Sequence, residues 1–168
     1  MFKELGTFEV TSGKVLACDP CYDRSEMDNP ELDGLLPGRY IADIRIKNTG
    51  IMGERVFWLR ICHENYLSSA IIEQGLPFTT VPVDSGQAGF FDDEFYPTGE
   101  STGDYDDVNT FYGKACELTL SEDQGGIIGN FGVVSSSGYG DGVYGVYVGR
   151  NQSGYIVAAV IDYGISED

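Results

Sequence analysis

The chain has few basic residues and a single histidine. Its 168 residues contain ten Lys and Arg against 27 Asp and Glu, which gives a formal net charge of -17 at pH 7. Ten cations cannot build a basic stripe along a phosphate backbone against that acidic excess, so the composition argues against nucleic-acid binding. With His63 as the one imidazole, Ser-His-Asp catalysis has little support. At a predicted strand end, His63 is expected to be a half-exposed structural residue.

Long apolar runs are also missing. No stretch approaches the roughly 18 apolar residues that span a bilayer, and the first six residues lack the apolar core of a secretory signal. We therefore expect a cytoplasmic protein with no membrane partner. The length suffices for one domain with a real core, and no linker or repeat divides it, so we predict a single domain over residues 1–168.

Cysteine is scarce, with four residues in the chain. Cys18 and Cys21 have the spacing of a zinc-binding pair, but Cys62 and Cys116 form no second pair of this kind. A zinc site formed by Cys18, Cys21, Cys116 and either Cys62 or His63 is one alternative. Separate core thiols, reduced in the cytosol, are the interpretation we favour.

What the chain does have is a series of short segments typical of β-strands. Apolar and polar residues alternate over residues 39–47, and residues 56–62 follow after a turn, as in an antiparallel hairpin. The nearly continuous apolar run at 155–163 is typical of a central strand. Further strands are predicted at residues 8–10, 14–18, 67–72, 78–83, 87–91, 131–134 and 142–149, with 8–10 and 14–18 flanking a hairpin-like turn.

One short helix is expected over about residues 107–118, capped by Asp106 or Asp107, with a further helical turn at 121–124. Residues 19–36 and 92–107 have the composition of loops. Eight to ten short strands with one helix predict a mostly β fold. We expect an antiparallel β-sandwich or a partly open barrel.

The loop at residues 135–144 is the richest in serine, glycine and tyrosine, and it supplies four candidate ligand-binding residues: Ser137, Tyr139, Asp141 and Tyr144. Glycines let the backbone approach a ligand closely, and tyrosine rings could stack on a ring or a sugar. The loop lacks the Gly-x-Ser-x-Gly pattern of hydrolases and the lysine of a phosphate-binding loop. The alternative is a glycine-dependent turn that binds nothing.

Two more polar segments directly follow predicted strands, Asp19-Pro20-Cys21-Tyr22 and Asp84-Ser85-Gly86-Gln87. The candidate ligand-binding residues here are Asp19, Tyr22, Asp84, Ser85 and Gln87. Asp19, Asp84 and Asp141 could supply oxygen ligands to Ca²⁺ or Mg²⁺ if the fold brings them together, and Asp92 is a further oxygen donor. The alternative for each aspartate is a hydrogen bond that shapes a turn.

In their order along the chain, these motifs resemble an uncharacterised bacterial and phage family of unknown function. The matching segments are residues 12–20, 36–40, 83–89, 137–144, 146–150 and 160–163. The resemblance covers nearly the whole chain and implies one mostly β cytosolic domain, without an established activity, substrate or cofactor. It adds weight to Asp19, Asp84, Gly86, Asp141 and Gly142. Gly145 departs from it, because a proline is expected there.

Two functions are compatible with these features. The first is a binding protein that sequesters or neutralises a protein partner or a small ligand, for example as immunity against a basic toxin. The acids concentrate between Asp84 and Asp123, where Lys114 alone opposes them. The second is a hydrolase in which a divalent cation on Asp19, Asp84 and Asp141 activates water. The sequence indicates no oligomeric state, although edge strands could pair.

Overall fold

A computed structural model describes residues 1–98 and 102–166, which form two antiparallel β-sheets and one α-helix. In chain order the elements are β1 (Phe2–Val10), β2 (Lys14–Cys18), β3 (Glu31–Asp33), β4 (Gly38–Asn48), β5 (Glu54–His63), β6 (Thr79–Val83), β7 (Gln87–Asp92), α1 (Phe111–Thr119), β8 (Gly125–Ile128), β9 (Gly132–Ser136), β10 (Gly142–Arg150) and β11 (Ile156–Asp162). No helix in the described ranges is long and apolar enough to cross a bilayer.

The first sheet has the order β1-β4-β5-β11-β10-β6 and the second the order β3-β2-β7-β9-β8. Within residues 1–98 and 102–166 neither sheet closes on itself, so the predicted mostly β fold is confirmed as a sandwich and not as a barrel. The main core lies between the sheets, where alternate residues such as Tyr40, Ala42 and Ile44 point inward. A smaller core, centred on Phe91, lies between the second sheet and α1.

Two of the predicted strand relationships are confirmed. β4 and β5 form an antiparallel hairpin whose register runs from Tyr40 opposite His63 to Asn48 opposite Glu54. β11 is a central strand between β5 and β10. Its residues Ile156–Ile161 are all buried, which explains why this strand reads as a continuous apolar run.

The predicted hairpin of residues 8–10 and 14–18 is wrong, because β1 and β2 lie in different sheets. The turn between them carries the chain from one sheet to the other. The loop predicted at 19–36 contains β3, which pairs with β2. One strand was predicted at residues 131–134, but two strands form in this part of the chain, since β8 precedes β9 and pairs with it.

The strand predicted at 67–72 is also wrong. These residues form turns and extended chain that lie over the outer face of the first sheet. The carbonyl oxygen of Ile71 occupies the space where a side chain at position 149 would stand, and the amide of Glu73 donates to the carbonyl of Val148 at 2.8 Å. The backbone of this segment contacts the sheet, whereas the side chains of Leu67 and Ile71 are exposed.

The helix is confirmed, but it begins at Phe111 and not near Asp107. Thr110 is its N-cap, and the Thr110 hydroxyl accepts a hydrogen bond from the amide of Gly113 at 3.1 Å. Asp107 shapes the preceding turn by accepting from the amide of Asn109 at 3.0 Å. A Cβ at Gly113 would stand 1.9 Å from the carbonyl oxygen of Asp107, so this close approach requires glycine. The further helical turn predicted at residues 121–124 is wrong, because these residues form a non-helical turn.

Candidate functional site

The turn between β6 and β7 is the place where the predicted motifs meet. Asp19 is fully buried and accepts four hydrogen bonds there and nearby. Its Oδ2 accepts from the amides of Asp84 at 2.8 Å and Ser85 at 2.7 Å. Its Oδ1 accepts from the amide of Cys21 at 2.8 Å and the hydroxyl of Ser85 at 2.6 Å. The chain that leaves β2 in the second sheet is thereby fixed to the strand β6 of the first sheet.

The loop at 135–144 lies against the other side of the same turn. The amide of Gly86 donates to Asp141 Oδ1 at 3.0 Å, and the carbonyl of Gly86 accepts from the amide of Ser137 at 3.1 Å. The Ser137 hydroxyl is buried and donates to the carbonyl of Gly140 at 2.9 Å. All three motifs therefore converge, and they do so mainly through backbone groups.

Gln87 and the helix complete this cluster. The buried Gln87 side chain donates from Nε2 to Cys116 Sγ at 3.3 Å and accepts from the hydroxyl of Thr119 at 2.7 Å. Tyr112 places its hydroxyl beside Ser85 and Cys116, and burial raises the pKa of Tyr112 to about 12. The result is a continuous polar network between the β6–β7 turn and α1.

The thiol of Cys21 borders the network but is a weak nucleophile. Burial, followed by the charge of Asp19, raises the pKa of Cys21 well above its usual value. The thiol is therefore uncharged at neutral pH, whereas the thiolate is the reactive form. The arrangement offers polar contacts and no activated nucleophile at this position.

The three predicted tyrosines have different surroundings. Tyr139 is 56% exposed, and the guanidinium of Arg55 lies over its ring at 6.0 Å. Tyr144 donates to the carbonyl of Gly140 at 2.6 Å and packs edge-on against Tyr163. Tyr22 is half-buried at a separate cavity of about 200 Å³. Tyr139 thus presents the most accessible ring, and ligand stacking by it stays a prediction.

No three His, Cys, Asp or Glu side chains in residues 1–98 and 102–166 are grouped so that they could hold a metal ion. Asp84 has an exposed side chain, and it meets Asp19 through its backbone amide. The zinc alternative lacks a cluster in the same ranges, since Cys62 lies in β5 of the first sheet and Cys18 in β2 of the second. A cation on Asp19, Asp84 and Asp141 stays a prediction.

His63 is buried and not half-exposed as expected. Its Nδ1 accepts from the amide of Asn65 at 3.1 Å, and its Nε2 lies 3.2 Å from the carbonyl oxygen of Pro37. The proton therefore resides on Nε2, which donates to that carbonyl. Both ring nitrogens therefore take part in structural hydrogen bonds, one to the chain before β4 and one to the chain after β5.

Asp92 is a buried carboxylate that shapes a turn, the alternative to a cation ligand that the sequence left open for it. It ends β7, and its oxygens accept from the amides of Thr11 and Ser12, the hydroxyl of Ser12 and the amide of Glu94, at 2.6 to 3.2 Å. It thus fixes the crossing between β1 and β2. Burial alone would raise the pKa of Asp92, but the hydrogen bonds from Ser12, Thr11 and Glu94 outweigh it and lower the pKa.

We expect Asp92→Asn to destabilise the protein most at neutral pH. A folded-state pKa below the unfolded value of about 3.9 means that the carboxylate contributes stability above that pH, and this contribution disappears as pH falls through the folded pKa. The melting temperatures of both proteins, measured from pH 7 down to pH 3, should converge in acid. A constant difference across that range would contradict the assignment.

A second feature, which we call the aromatic groove, lies beside the N-terminal end of α1. The rings of Phe111 and Phe131 stack at 6.1 Å, and Phe95 lies 6.1 Å from Phe131. Phe95 is 50% exposed and Val108 is 48% exposed. Two adjoining cavities of about 360 and 300 Å³ share Phe95 and Phe131 in their walls, and Glu9 lines the second. The sequence gives no periodic signal for it, because its residues come from four separate segments.

The comparisons with known proteins concern the family of the chain. No curated protein and no solved structure matches it significantly. The sequence profile of one family matches residues 8–161, which run from within β1 to the last strand and include every segment of the β6–β7 cluster. The chain therefore belongs to the DUF4241 family, a family of proteins of unknown function.

Proposed function

We propose that this is a binding protein that captures a basic protein partner in its aromatic groove and thereby sequesters or neutralises it. The observation that supports this proposal most directly is the exposure of Phe95 and Val108 above a floor of stacked phenyl rings. Aromatic side chains in such pockets are the usual anchors of protein interfaces. The groove offers an apolar anchoring position without an acid–base pair beside it.

The charge of the chain selects the partner. A net charge of -17 creates a negative field that steers basic proteins toward the surface and repels acidic ones. Around the groove, Glu9 lines the wall and Glu94 precedes Phe95 in the chain. Lys114, the basic residue of the wall, is paired with Glu117 at 2.7 Å, so its charge is locally balanced. An apolar segment flanked by Lys or Arg would match both properties.

We place this binding protein in the cytoplasm of a bacterium or of a phage-infected cell, as the sequence leads us to expect. Immunity against a basic toxin is one example of such a function. A small-molecule ligand is the other form of binding that the sequence left open. A metal-dependent hydrolase built on Asp19, Asp84 and Asp141 is the alternative function. It requires three carboxylates around one cation, and no observation in the described ranges favours it.

The test compares the immobilised wild-type protein with Phe95→Ser, which removes the exposed ring at the shared wall of the two cavities. Proteins retained by the wild type alone are identified, produced in pure form and titrated by calorimetry. We expect a partner with a basic surface whose affinity falls at least about tenfold in Phe95→Ser, the scale of an interface anchor. The affinity should also fall as salt is added, because the attraction is partly electrostatic.

Tyr139→Ser is the matched control, since it removes a similarly exposed ring that lies beside Arg55, at the opposite end of β4 from the groove residue Glu9. Both variants must show wild-type melting temperatures. Equal affinity of the purified partner for the wild type and Phe95→Ser would overturn the groove as the binding site. A partner whose affinity does not depend on salt would overturn the electrostatic part.

A further inference from the structure

The outer face of the first sheet, which is turned away from the second sheet, carries a cavity beside the only tryptophan of the chain. The antiparallel register places Trp58 of β5 opposite Asp162 of β11. In the neighbouring row Val160 of β11 stands opposite Tyr147 of β10. These four side chains line a cavity of about 210 Å³, and residues 72–75 form its remaining wall.

Two aromatic rings flank the carboxylate of Asp162 in this cavity. Trp58 is its neighbour on one side, and Gly145 is its neighbour on the other. Because Gly145 has no side chain, the ring of Tyr147 leans over that position, and a Cβ there would stand 3.1 Å from the ring and 3.2 Å from its hydroxyl. The open strand position thus lets a second aromatic wall form next to the carboxylate.

The charge of Asp162 is not balanced by a basic residue in the described ranges. Asp162 Oδ1 accepts from the amide of Gly164 at 2.9 Å, and within residues 1–98 and 102–166 this carboxylate forms no ion pair. The arginines nearby interact with other groups. The guanidinium of Arg45, which stands opposite Trp58 on β4, lies 5.4 Å from the centre of the Trp58 ring, so this cation is held on the side of Trp58 away from Asp162. Arg60 is bound to Asp43, and Arg150 is bound to Glu73. The cavity therefore combines aromatic walls, an apolar floor and one unneutralised negative charge.

We propose that this cavity binds an alkylammonium group, carried either by a small free amine or by a lysine side chain. Aromatic ring faces attract such cations, and a half-buried carboxylate adds a charge-assisted contact. The volume lies below the roughly 300–1,000 Å³ of drug-sized pockets, which suits a small head group. The cavity lies on the side of the sandwich opposite to the aromatic groove, so this inference is independent of the function proposed above.

Trp58 provides the readout, because it is the only tryptophan and it lines the cavity. Its fluorescence is followed while one of three compounds is added. These are choline, Nα-acetyl-lysine methylamide, which keeps its side-chain ammonium, and the neutral choline analogue 3,3-dimethylbutanol. We expect a saturable change with one or both cations and at least about tenfold weaker binding of the neutral analogue. Saturation by choline alone assigns the site to a free amine, and saturation by the lysine derivative alone assigns it to a side chain.

Asp162→Asn keeps an oxygen for the Gly164 amide and removes the charge, so it should weaken binding of the cation at least about tenfold. Asp33→Asn is the matched control, because Asp33 also accepts a glycine amide, from Gly34 at 2.9 Å, and lies in the second sheet. Should Asp162→Asn fail to fold, Tyr147→Leu tests the second wall with the same expected direction. No saturable change, equal binding of the neutral analogue, or unchanged affinity in a folded variant would overturn the proposal.

Discussion

Replacing Asp19 with alanine is expected to lower the free energy of unfolding by on the order of 3–5 kcal/mol, the cost of leaving several buried donors without an acceptor. The carboxylate is fully buried and accepts from the amides of Cys21, Asp84 and Ser85 and from the Ser85 hydroxyl. These donors lie in turns outside the strand ladders, so the Asp19 carboxylate is the acceptor that satisfies them. Their loss would loosen the connection between the two sheets.

Asp84→Ala is the control for this prediction. Asp84 takes part in the same cluster through its amide, while its side chain is exposed, so truncation should change stability by less than about 0.5 kcal/mol. Urea unfolding followed by circular dichroism measures both variants. If Asp19→Ala unfolds in the same range of urea as Asp84→Ala, the carboxylate does not stabilise the cluster as described.

Replacing Arg60 with leucine is expected to destabilise the fold by about 3–5 kcal/mol, because it leaves a buried charge without its partner. Asp43 is 1% exposed, and its Oδ2 accepts from Arg60 Nε at 2.9 Å and from an Arg60 terminal nitrogen at 2.7 Å. Its Oδ1 is buried and has no hydrogen-bond partner among residues 1–98 and 102–166. Arg60 is thus the main group that keeps this carboxylate ionised inside the protein.

The effect of Arg60→Leu on stability should also depend on pH, in a direction set by the pKa of Asp43. Burial raises the pKa of Asp43, and the bonds from Arg60 oppose that rise. Because the folded-state pKa of Asp43 lies above the unfolded one, the contribution of this carboxyl to stability is greatest in acid. That contribution is lost as pH rises through the folded-state pKa. Arg60→Leu should therefore lose stability more steeply than the wild type between pH 4 and pH 7. The double variant Asp43→Leu, Arg60→Leu should recover most of the loss at pH 7, since no charge stays buried.

The parts of the fold that depend on local alternation were predictable. The polar and apolar residues of β4 alternate because one face packs in the core, and β5 follows after a short turn. β11 is apolar on both faces because it is covered on both. Neither case requires knowledge of the partner strands.

The parts that depend on long-range placement were not predictable. The three residues between β1 and β2 look like a hairpin turn, yet Asp92, about eighty positions later, holds them where the chain changes sheets. Residues 67–72 are apolar enough for a strand, but glycine at 149 leaves room for their backbone over the sheet. A local pattern cannot tell a strand from a cover in that case.

The candidate site likewise has features that could be predicted from the sequence and features that could not. Whether the motifs around Asp19, Gly86 and Asp141 converge was left open by the sequence, and the structure brings them together. The burial of Asp19 could not be read from the sequence, because a turn-forming aspartate and a ligand-binding one share the same context. The aromatic groove and the Trp58 cavity depend on strand register and on rings from separate segments.

The most direct test of the account is the affinity of one purified partner for three proteins: the wild type, Phe95→Ser, and the double variant Asp84→Ala, Tyr139→Ser. The double variant alters two exposed side chains of the motif segments and leaves the buried contacts intact. We expect Phe95→Ser to lose at least about tenfold in affinity, as an interface anchor does, and the double variant to bind like the wild type. Loss of binding in the double variant, with Phe95→Ser unchanged, would contradict the account and place recognition at the β6–β7 turn.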